Sequence, residues 1–363
     1  MVIADLSGGG AQRVFTQLAN GWAERGRRIC VITLSSTDQD FFHLSSQVQR
    51  VCIGGLGDSN SLLASIKANV SRIRSLRAAL RKLGAPTVLS FIGVMNVLTI
   101  LATIGLGTKL VISERNDPAL QSLGKMWDFL RRKTYGKADV ITANSSGAIK
   151  TIESWGPIQA PALVPNPVSV PLDSKRIDLP GPAILNVGRL VPQKAQDILL
   201  NAFSDVLKKA PDWYLVIVGT GPRKDKLREQ ADQLGISNRV LFPGQIDDPY
   251  PYYRTARIFA LPSLFEGTPN TLLEAMACGL PCVVSDASSG PLDYIEDQKT
   301  GLVVSAGGSD ELALTLTRLI EDEPLCERLG SAARDCTEAL GIDQVLDFWE
   351  ETIGFHPPSS PTG

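Results

Sequence analysis

The strongest constraint on this chain is a repeated alternation of short, largely apolar runs with helix-length segments. Val88–Ile92, Lys109–Ser113 and Ala138–Asn144 in the first half read as strands without a polar face. So do Ala183–Val187, Tyr214–Val218, Val240–Phe242, Ile258–Leu261 and Cys282–Ser285 in the second. A strand that is apolar on both sides needs cover on both sides, which is the situation of a parallel sheet between two layers of helices. The intervening stretches supply those layers: Leu62–Leu83, Met95–Ile104, Asp197–Lys208 and Lys224–Leu234 all read as helices. The expectation is α/β, with doubly wound sheets.

The uncharged run Val88–Gly107 is nearly long enough to span a bilayer. Gly93 and Asn96 divide it into a buried strand and a buried helix, so no membrane span is expected. At 363 residues the chain is long enough for two domains. Charge divides the same way: residues 1–170 hold 19 Lys/Arg against 10 Asp/Glu, and the remainder 17 against 28. Val170–Pro182, punctuated by proline and without apolar periodicity, reads as the linker.

Other classes recede on similar grounds. Cys278 and Cys282 have ligand-like spacing, but no second cluster and no histidine lies near them, so no metal site is expected. The six cysteines sit in apolar or helical runs and read as reduced thiols of a cytoplasmic protein. Basic residues load one face of Leu62–Leu83 (Lys67, Arg72, Arg74, Arg77, Arg81, Lys82), opposite Leu63, Ile66, Val70, Ile73, Leu76, Leu80 and Leu83. A second group, Lys125, Arg131, Arg132, Lys133 and Lys137, interleaves with Met126, Trp127, Phe129 and Leu130. Such faces are ordinarily solvated; the alternative is a peripheral hold on an anionic membrane, where each basic residue contributes roughly 1 kcal/mol. Nucleic acid is not expected, because no aromatic and basic strand platform accompanies the patches.

Three turns carry the chemistry. Met1–Leu6 reads as a strand that enters Ser7-Gly8-Gly9-Gly10-Ala11-Gln12-Arg13, followed by a helix to about Glu24 and a strand at Ile29–Leu34. Glycines there let a ligand approach a helix N-terminus, but the dinucleotide spacing is absent. Gly188-Arg189-Leu190 to Lys194 puts two cations in a turn after a strand, an arginine fork and a mobile lysine suited to phosphate. Phe265–Glu274 turns from loop to helix, with Glu266 and Glu274 flanking Gly267, Thr268, Pro269 and Asn270. A capped surface helix with two solvated acids would carry the same letters. A new helix also leaves backbone N–H groups free for phosphate or polyhydroxy ligands.

Taken in order, these motifs resemble glycosyltransferase family 4: Gly9-Gly10-Ala11-Gln12-Arg13, Pro165-Asn166-Pro167, Gly188-Arg189-Leu190 with Lys194, and Glu266 to Glu274 followed by Ala275-Met276-Ala277-Cys278-Gly279-Leu280-Pro281. The resemblance runs over nearly the whole chain. It implies the GT-B fold, two Rossmann-like domains facing a cleft, with an acceptor domain at 1–170 and a donor domain at 171–342. The helix at about 343–355 (Leu346, Trp349 and Ile353 on one face) would return to the first domain, and 357–363 would be a disordered tail.

It further implies a retaining, metal-independent transfer from a nucleotide-sugar, with UDP the expected nucleotide, to a lipid-linked or cell-surface glycan. Arg189 and Lys194 would hold the diphosphate, and Glu266 the sugar hydroxyls. Gly267, Thr268, Pro269 and Asn270 would line the sugar and phosphate, and Glu274 would hold the ribose. Gly9 and Gly10 would admit the diphosphate, and Gly244 and Gln245 would lie beside the base. The histidine that many members place near the acceptor is missing, since the chain reads Ser113-Glu114-Arg115-Asn116 there. Arg13, Glu114, Arg115 and Asn116 are the acceptor-side candidates. A sugar-nucleotide epimerase of the same fold and a binding protein without turnover are the alternatives.

Overall fold

A computed structural model describes residues 1–55, 62–171 and 175–355. The expected tail at 357–363 and part of the expected linker, 172–174, lie outside the described residues. The chain divides into two compact units, Met1–Pro167 with Ile342–Gly363, and Val168–Gly341.

In the first unit the strands are β1 (Cys30–Thr33), β2 (Gln49–Cys52), β3 (Thr87–Phe91), β4 (Lys109–Glu114), β5 (Val140–Ala143) and β6 (Ala162–Leu163). Its main helices are α1 (Gly10–Glu24), α2 (Leu62–Leu83), α3 (Gly93–Thr103), α4 (Lys125–Thr134) and α5 (Ser146–Glu153). All ladders are parallel. The opening segment pairs on both sides: Val2 bridges to Ile32 and to Ser90, and its N–H donates to the Leu89 carbonyl at 2.7 Å. It thereby joins the β2–β1 ladder to the β3–β4–β5–β6 ladder. Pairing stops earlier than the expected strand Met1–Leu6, because Asp5 accepts the Ser7 N–H at 3.0 Å and turns the chain toward α1.

The apolar run 88–107 divides between β3 and the 11-residue α3, whose side chains are mostly buried. No helix among the described residues is long and apolar enough to cross a membrane. Two basic groups depart from the expected faces. Arg77 does not lie on a solvated face; its guanidinium donates to the carbonyls of Ala102 (2.8 Å) and Ile104 (2.6 Å), closing the C-terminal end of α3. Arg131 is buried and paired with Asp128 at 2.9 Å. The apolar stripe of α2 is only half used: Leu76 and Leu80 are buried, whereas Ile66 and Val70 are exposed.

In the second unit the strands are β7 (Ala183–Val187), β8 (Tyr214–Val218), β9 (Val240–Gly244), β10 (Ile258–Leu261), β11 (Cys282–Ser285) and β12 (Leu302–Val304). The helices are α6 (Gln196–Val206), α7 (Lys224–Gln233), α8 (Tyr250–Thr255), α9 (Asn270–Ala277), α10 (Ser289–Leu292), α11 (Ser309–Glu321) and α12 (Glu323–Asp335). The sheet runs β12-β11-β10-β7-β8-β9, all parallel. Winding starts at β7 and proceeds outward in both directions, so the sheet reverses between β7 and β10. Every side chain of β7 and β10 is buried, as their unbroken apolar sequence requires. The first unit winds in the same order, with its reversal between the opening segment and β3.

The last helix, α13 (Ile342–Ile353), belongs to the first unit. Its Trp349 is fully buried, stacked on Phe91 at 5.9 Å and edge-on to Trp22 at 6.3 Å. Gly21 of α1 makes room for Leu346, since a β-carbon there would stand 2.7 Å from Leu346 Cδ1. Glu350 receives Arg27 at 2.5 Å, and Arg25 reaches Asp347 at 2.6 Å.

Candidate active site

Open α/β sheets bind ligands outside the carboxyl ends of their strands, at the point where the winding reverses. In the second unit that point is flanked by the loops after β7 and β10, and these loops carry Arg189, Lys194 and Glu266. After β7 the chain runs through Gly188 and Arg189 into a single 3₁₀ turn, Pro192–Lys194, and Ala195 takes a left-handed conformation (φ 50°) before α6. Two buried amides brace the loop. Asn186 donates to the Ala260 carbonyl at 2.9 Å, and Gln196 donates to the Arg189 carbonyl at 3.1 Å. Gly219 and Gly221 have a packing role in place of a dinucleotide turn: β-carbons there would stand 2.0 Å from the Gly188 oxygen and 2.5 Å from the Leu190 oxygen.

The Arg189 side chain is exposed, whereas the Lys194 ammonium pairs with the Glu266 carboxylate at 2.5 Å. Both partners of that pair are largely buried. Burying a lysine and a glutamate together is tolerable only because each neutralises the other. Thr268 beside them is also buried. The α9 helix then begins at Asn270 behind Pro269 with no side-chain cap, and the Pro269 carbonyl accepts the Leu272 N–H at 3.1 Å and the Leu273 N–H at 3.3 Å.

Glu274 is the surprise of that helix. The capped-surface-helix reading needs two solvated acids, and Glu266 and Glu274 are 7% and 3% exposed. Glu274 accepts a hydrogen bond from the buried Tyr253 hydroxyl of α8 at 2.9 Å. Gly244, at the end of β9, has φ 88°, which a residue with a side chain rarely adopts. Its carbonyl accepts the Gly219 N–H at 2.8 Å, which sets the exposed Gln245 just past the sheet edge.

In the first unit, Gly9 is the extended residue before α1 and Gly10 its first residue; the Gly9 carbonyl accepts the Arg13 N–H at 3.0 Å. Glu114 ends β4 and is 3% exposed, with the Tyr135 hydroxyl donating to it at 2.5 Å and Arg131 at 3.5 Å. Burial pushes its carboxyl above the ordinary range, opposed by Arg131 and Tyr135. Burial and the Glu114 charge likewise push the Tyr135 phenol well up. Arg115 is also buried: it donates to the Asn166 side chain and to Ser113 Oγ, and lies over the Phe91 ring at 4.9 Å. Asn116 is half-buried. Beside this group Ile92 holds φ 75°, a strained conformation for a β-branched residue, at the start of α3.

The structure thus brings Lys194 and Glu266 into contact, and sets Glu274 against Tyr253 of α8, with Gly244 at the end of the edge strand β9 of the same unit. Reading the sequence missed Tyr253, and it missed the residues that hold the 263–267 backbone, because each partner is distant along the chain. Among the described residues no group of His, Cys, Asp and Glu could hold a metal ion. Cys278 and Cys282 are free, and burial raises both thiols, Cys278 to about 11.

Comparison with known proteins fits this geometry. A family model described as Glycosyltransferase Family 4 matches residues 8–170, and one described as Glycosyl transferases group 1 matches residues 172–335. An uncharacterized glycosyltransferase of Haemophilus influenzae is 28% identical over 95% of this chain and 96% of its own length. The N-acetylgalactosamine-N,N'-diacetylbacillosaminyl-diphospho-undecaprenol 4-alpha-N-acetylgalactosaminyltransferase of Campylobacter jejuni is 30% identical, covering 73% of this chain and 74% of that protein. Among solved structures, HepE of Anabaena in complex with UDP and glucose superposes with a TM-score of 0.81 at 18% identity, covering 97% of this chain and 98% of that one.

Proposed function

We propose that this chain, which belongs to glycosyltransferase family 4 and is a glycosyltransferase of the GT-B fold class, moves a sugar from a UDP-sugar to a lipid-linked or cell-surface glycan with retention of configuration. The observation that carries the reading is the Lys194–Glu266 pair beside the exposed Arg189, at the winding reversal of the second unit. Arg189 and Lys194 take the diphosphate, and Glu266 accepts hydrogen bonds from sugar hydroxyls. Glu274 takes the two ribose hydroxyls, and the segment from Gly267 to Asn270 that leads into α9 faces phosphate or sugar oxygens. Gly244 and Gln245 border the base.

In the transfer, the bond from the anomeric carbon to the diphosphate oxygen breaks as the acceptor oxygen bonds to the same face of that carbon. The acceptor proton passes to the departing phosphate oxygen. Arg189 and Lys194 stabilise the charge that develops there, so the reaction proceeds without a metal. Neither glutamate acts as a nucleophile. The acceptor class follows the Campylobacter relative, whose name specifies a diphospho-undecaprenol substrate, and the nucleotide follows HepE, whose crystals hold UDP. A screen of UDP-, GDP- and ADP-sugars with lipid-linked acceptors tests the reading. Acceptor-dependent release of UDP supports it. Release from no donor, or conversion of the donor sugar without release, would overturn it.

The α4 helix suits a peripheral hold on an anionic membrane. Met126 and Phe129 are exposed, Lys125, Arg132 and Lys133 stand beside them, and Lys133 lies over the Phe129 ring at 5.9 Å. Arg131 is excluded from this surface by its buried ion pairs. Binding to vesicles containing phosphatidylglycerol should fall as salt rises, and salt-independent or absent binding removes the membrane assignment.

A further inference from the structure

The segment 263–267 follows β10 and, as a strand-to-helix loop, would ordinarily be among the freer parts of the unit. Here each of its five residues is gripped from outside. The Ser285 hydroxyl donates to the Ser263 carbonyl. The Gln193 carbonyl accepts the Leu264 N–H at 2.8 Å, and the Gln193 side-chain amide donates to the Phe265 carbonyl at 2.8 Å. The Ser288 hydroxyl oxygen accepts the Glu266 N–H at 2.8 Å. A β-carbon on Gly290 would stand 1.7 Å from the Gly267 carbonyl oxygen, so only glycine lets the first turn of α10 close against the loop.

These contacts converge on one side chain. The peptide before Glu266 is fixed by Gln193, its own N–H by Ser288, and the next carbonyl abuts Gly290. Gln193 also immediately precedes Lys194, the residue that pairs with the Glu266 carboxylate at 2.5 Å. A single bracket therefore sets both members of the pair. Ser288 is buried, and Gln193 is half-buried.

We propose that Gln193 and Ser288 are positioning residues for the transfer, fixing where the Glu266 carboxylate and the Lys194 ammonium stand before the donor arrives. This rests on the assignment of Glu266 to the donor sugar and Lys194 to the diphosphate. A reacting group displaced by about 1 Å costs on the order of 10²-fold in rate, so a bracket of this kind acts on turnover more than on the hold for nucleotide.

The test uses the full chain with Ser288→Ala, Ser288→Thr and Gln193→Ala. Three quantities are measured: amide exchange across 263–268 by mass spectrometry, UDP affinity by calorimetry, and kcat and KM for nucleotide release. Ser288→Ala and Gln193→Ala should each speed exchange in that segment by about tenfold and lower kcat by about tenfold or more, with UDP affinity within about twofold of wild type. Ser288→Thr, which keeps the acceptor oxygen, should restore exchange protection and kcat together. Unchanged exchange in both truncations overturns the proposal. So does faster exchange with kcat and kcat/KM intact. If Ser288→Ala does not fold, Gln193→Ala decides alone. A wild-type chain that turns over no nucleotide-sugar refutes the transferase reading and this proposal with it. An active wild type with unaffected variants refutes the bracket alone.

Discussion

The two units wind their strands in one order, yet their loops treat charge differently. In the second unit, the loops at the reversal leave Arg189 exposed and pair Lys194 with Glu266 on a braced backbone. In the first, the corresponding positions hold the Ser7–Gly10 turn and the strained Ile92, neither of them charged. Asp5 is tied to Ser7 of that turn, and Glu114 and Arg115 at the end of β4 are drawn under the surface. Tyr135 and Arg131 hold Glu114, and Asn166 and Phe91 hold Arg115. A strand order therefore locates a site without filling it. One unit leaves charge exposed at its reversal, and the other uses charge to set the shape of its own strand ends.

The sharpest way to break that contrast is to remove the charge at that reversal. Arg189→Ala should lower nucleotide release on the order of 10²-fold, because Arg189 is already exposed and its loss leaves folding contacts intact. Lys194→Ala should cost at least as much, since it also leaves the buried Glu266 uncompensated beside an incoming diphosphate. Near-normal turnover in both variants would mean that the second unit does not hold the donor where its loops suggest. Glu274→Ala should weaken nucleotide affinity by tens-fold, read by calorimetry with UDP, as hydrogen bonds to a charged group contribute roughly 1.5–3 kcal/mol.

A smaller change sharpens the comparison. Tyr253→Phe removes the hydroxyl that donates to Glu274 at 2.9 Å and leaves the ring in the core. UDP affinity should fall several-fold, in line with about 1 kcal/mol for one hydrogen bond, with kcat nearly unchanged. A loss equal to that of Glu274→Ala would make Tyr253 inseparable from the carboxylate it supports. No loss at all would make their contact incidental.

How much of this was legible from the letters depends on how local the cause was. β7, β8, β10 and β11 match the apolar runs residue for residue, because a strand buried on both faces declares itself in sequence. Edge elements did not: β2 is partly exposed, and β6 has two residues. The α8 helix, Tyr-Pro-Tyr-Tyr-Arg-Thr, carries no helical period to read. The charged motif residues stood out by type, but their partners did not. Tyr253 lies 21 residues before Glu274 and Ser288 22 residues after Glu266, and only the fold brings them together. The same holds for Arg77 and Arg131, whose letters suggest a solvated face and whose contacts are internal.

The smallest expected effect probes the inward use of charge. Because burial raises the Glu114 carboxyl above its unfolded value, the folded state binds the proton more tightly than the unfolded state does. The stability this contributes is complete below the unfolded carboxyl range, near pH 4.5. It is lost as pH rises through the folded value. Glu114→Gln keeps an acceptor for Tyr135 and cannot ionise, while Arg131 retains Asp128 at 2.9 Å. Relative to wild type, the variant should therefore gain stability as pH is raised from about 4.5 toward neutrality, by about 1.4 kcal/mol for each unit by which the folded carboxyl is raised. Urea titrations of both proteins at pH 4.5, 5.5 and 7 measure the difference directly. If the gap between them stays constant, the Glu114 carboxyl binds its proton equally in the folded and unfolded states, and Arg131 and Tyr135 balance its burial. The first unit would then hold a buried charge as firmly as the second holds Glu266, and the contrast between them would rest on exposure of Arg189 alone.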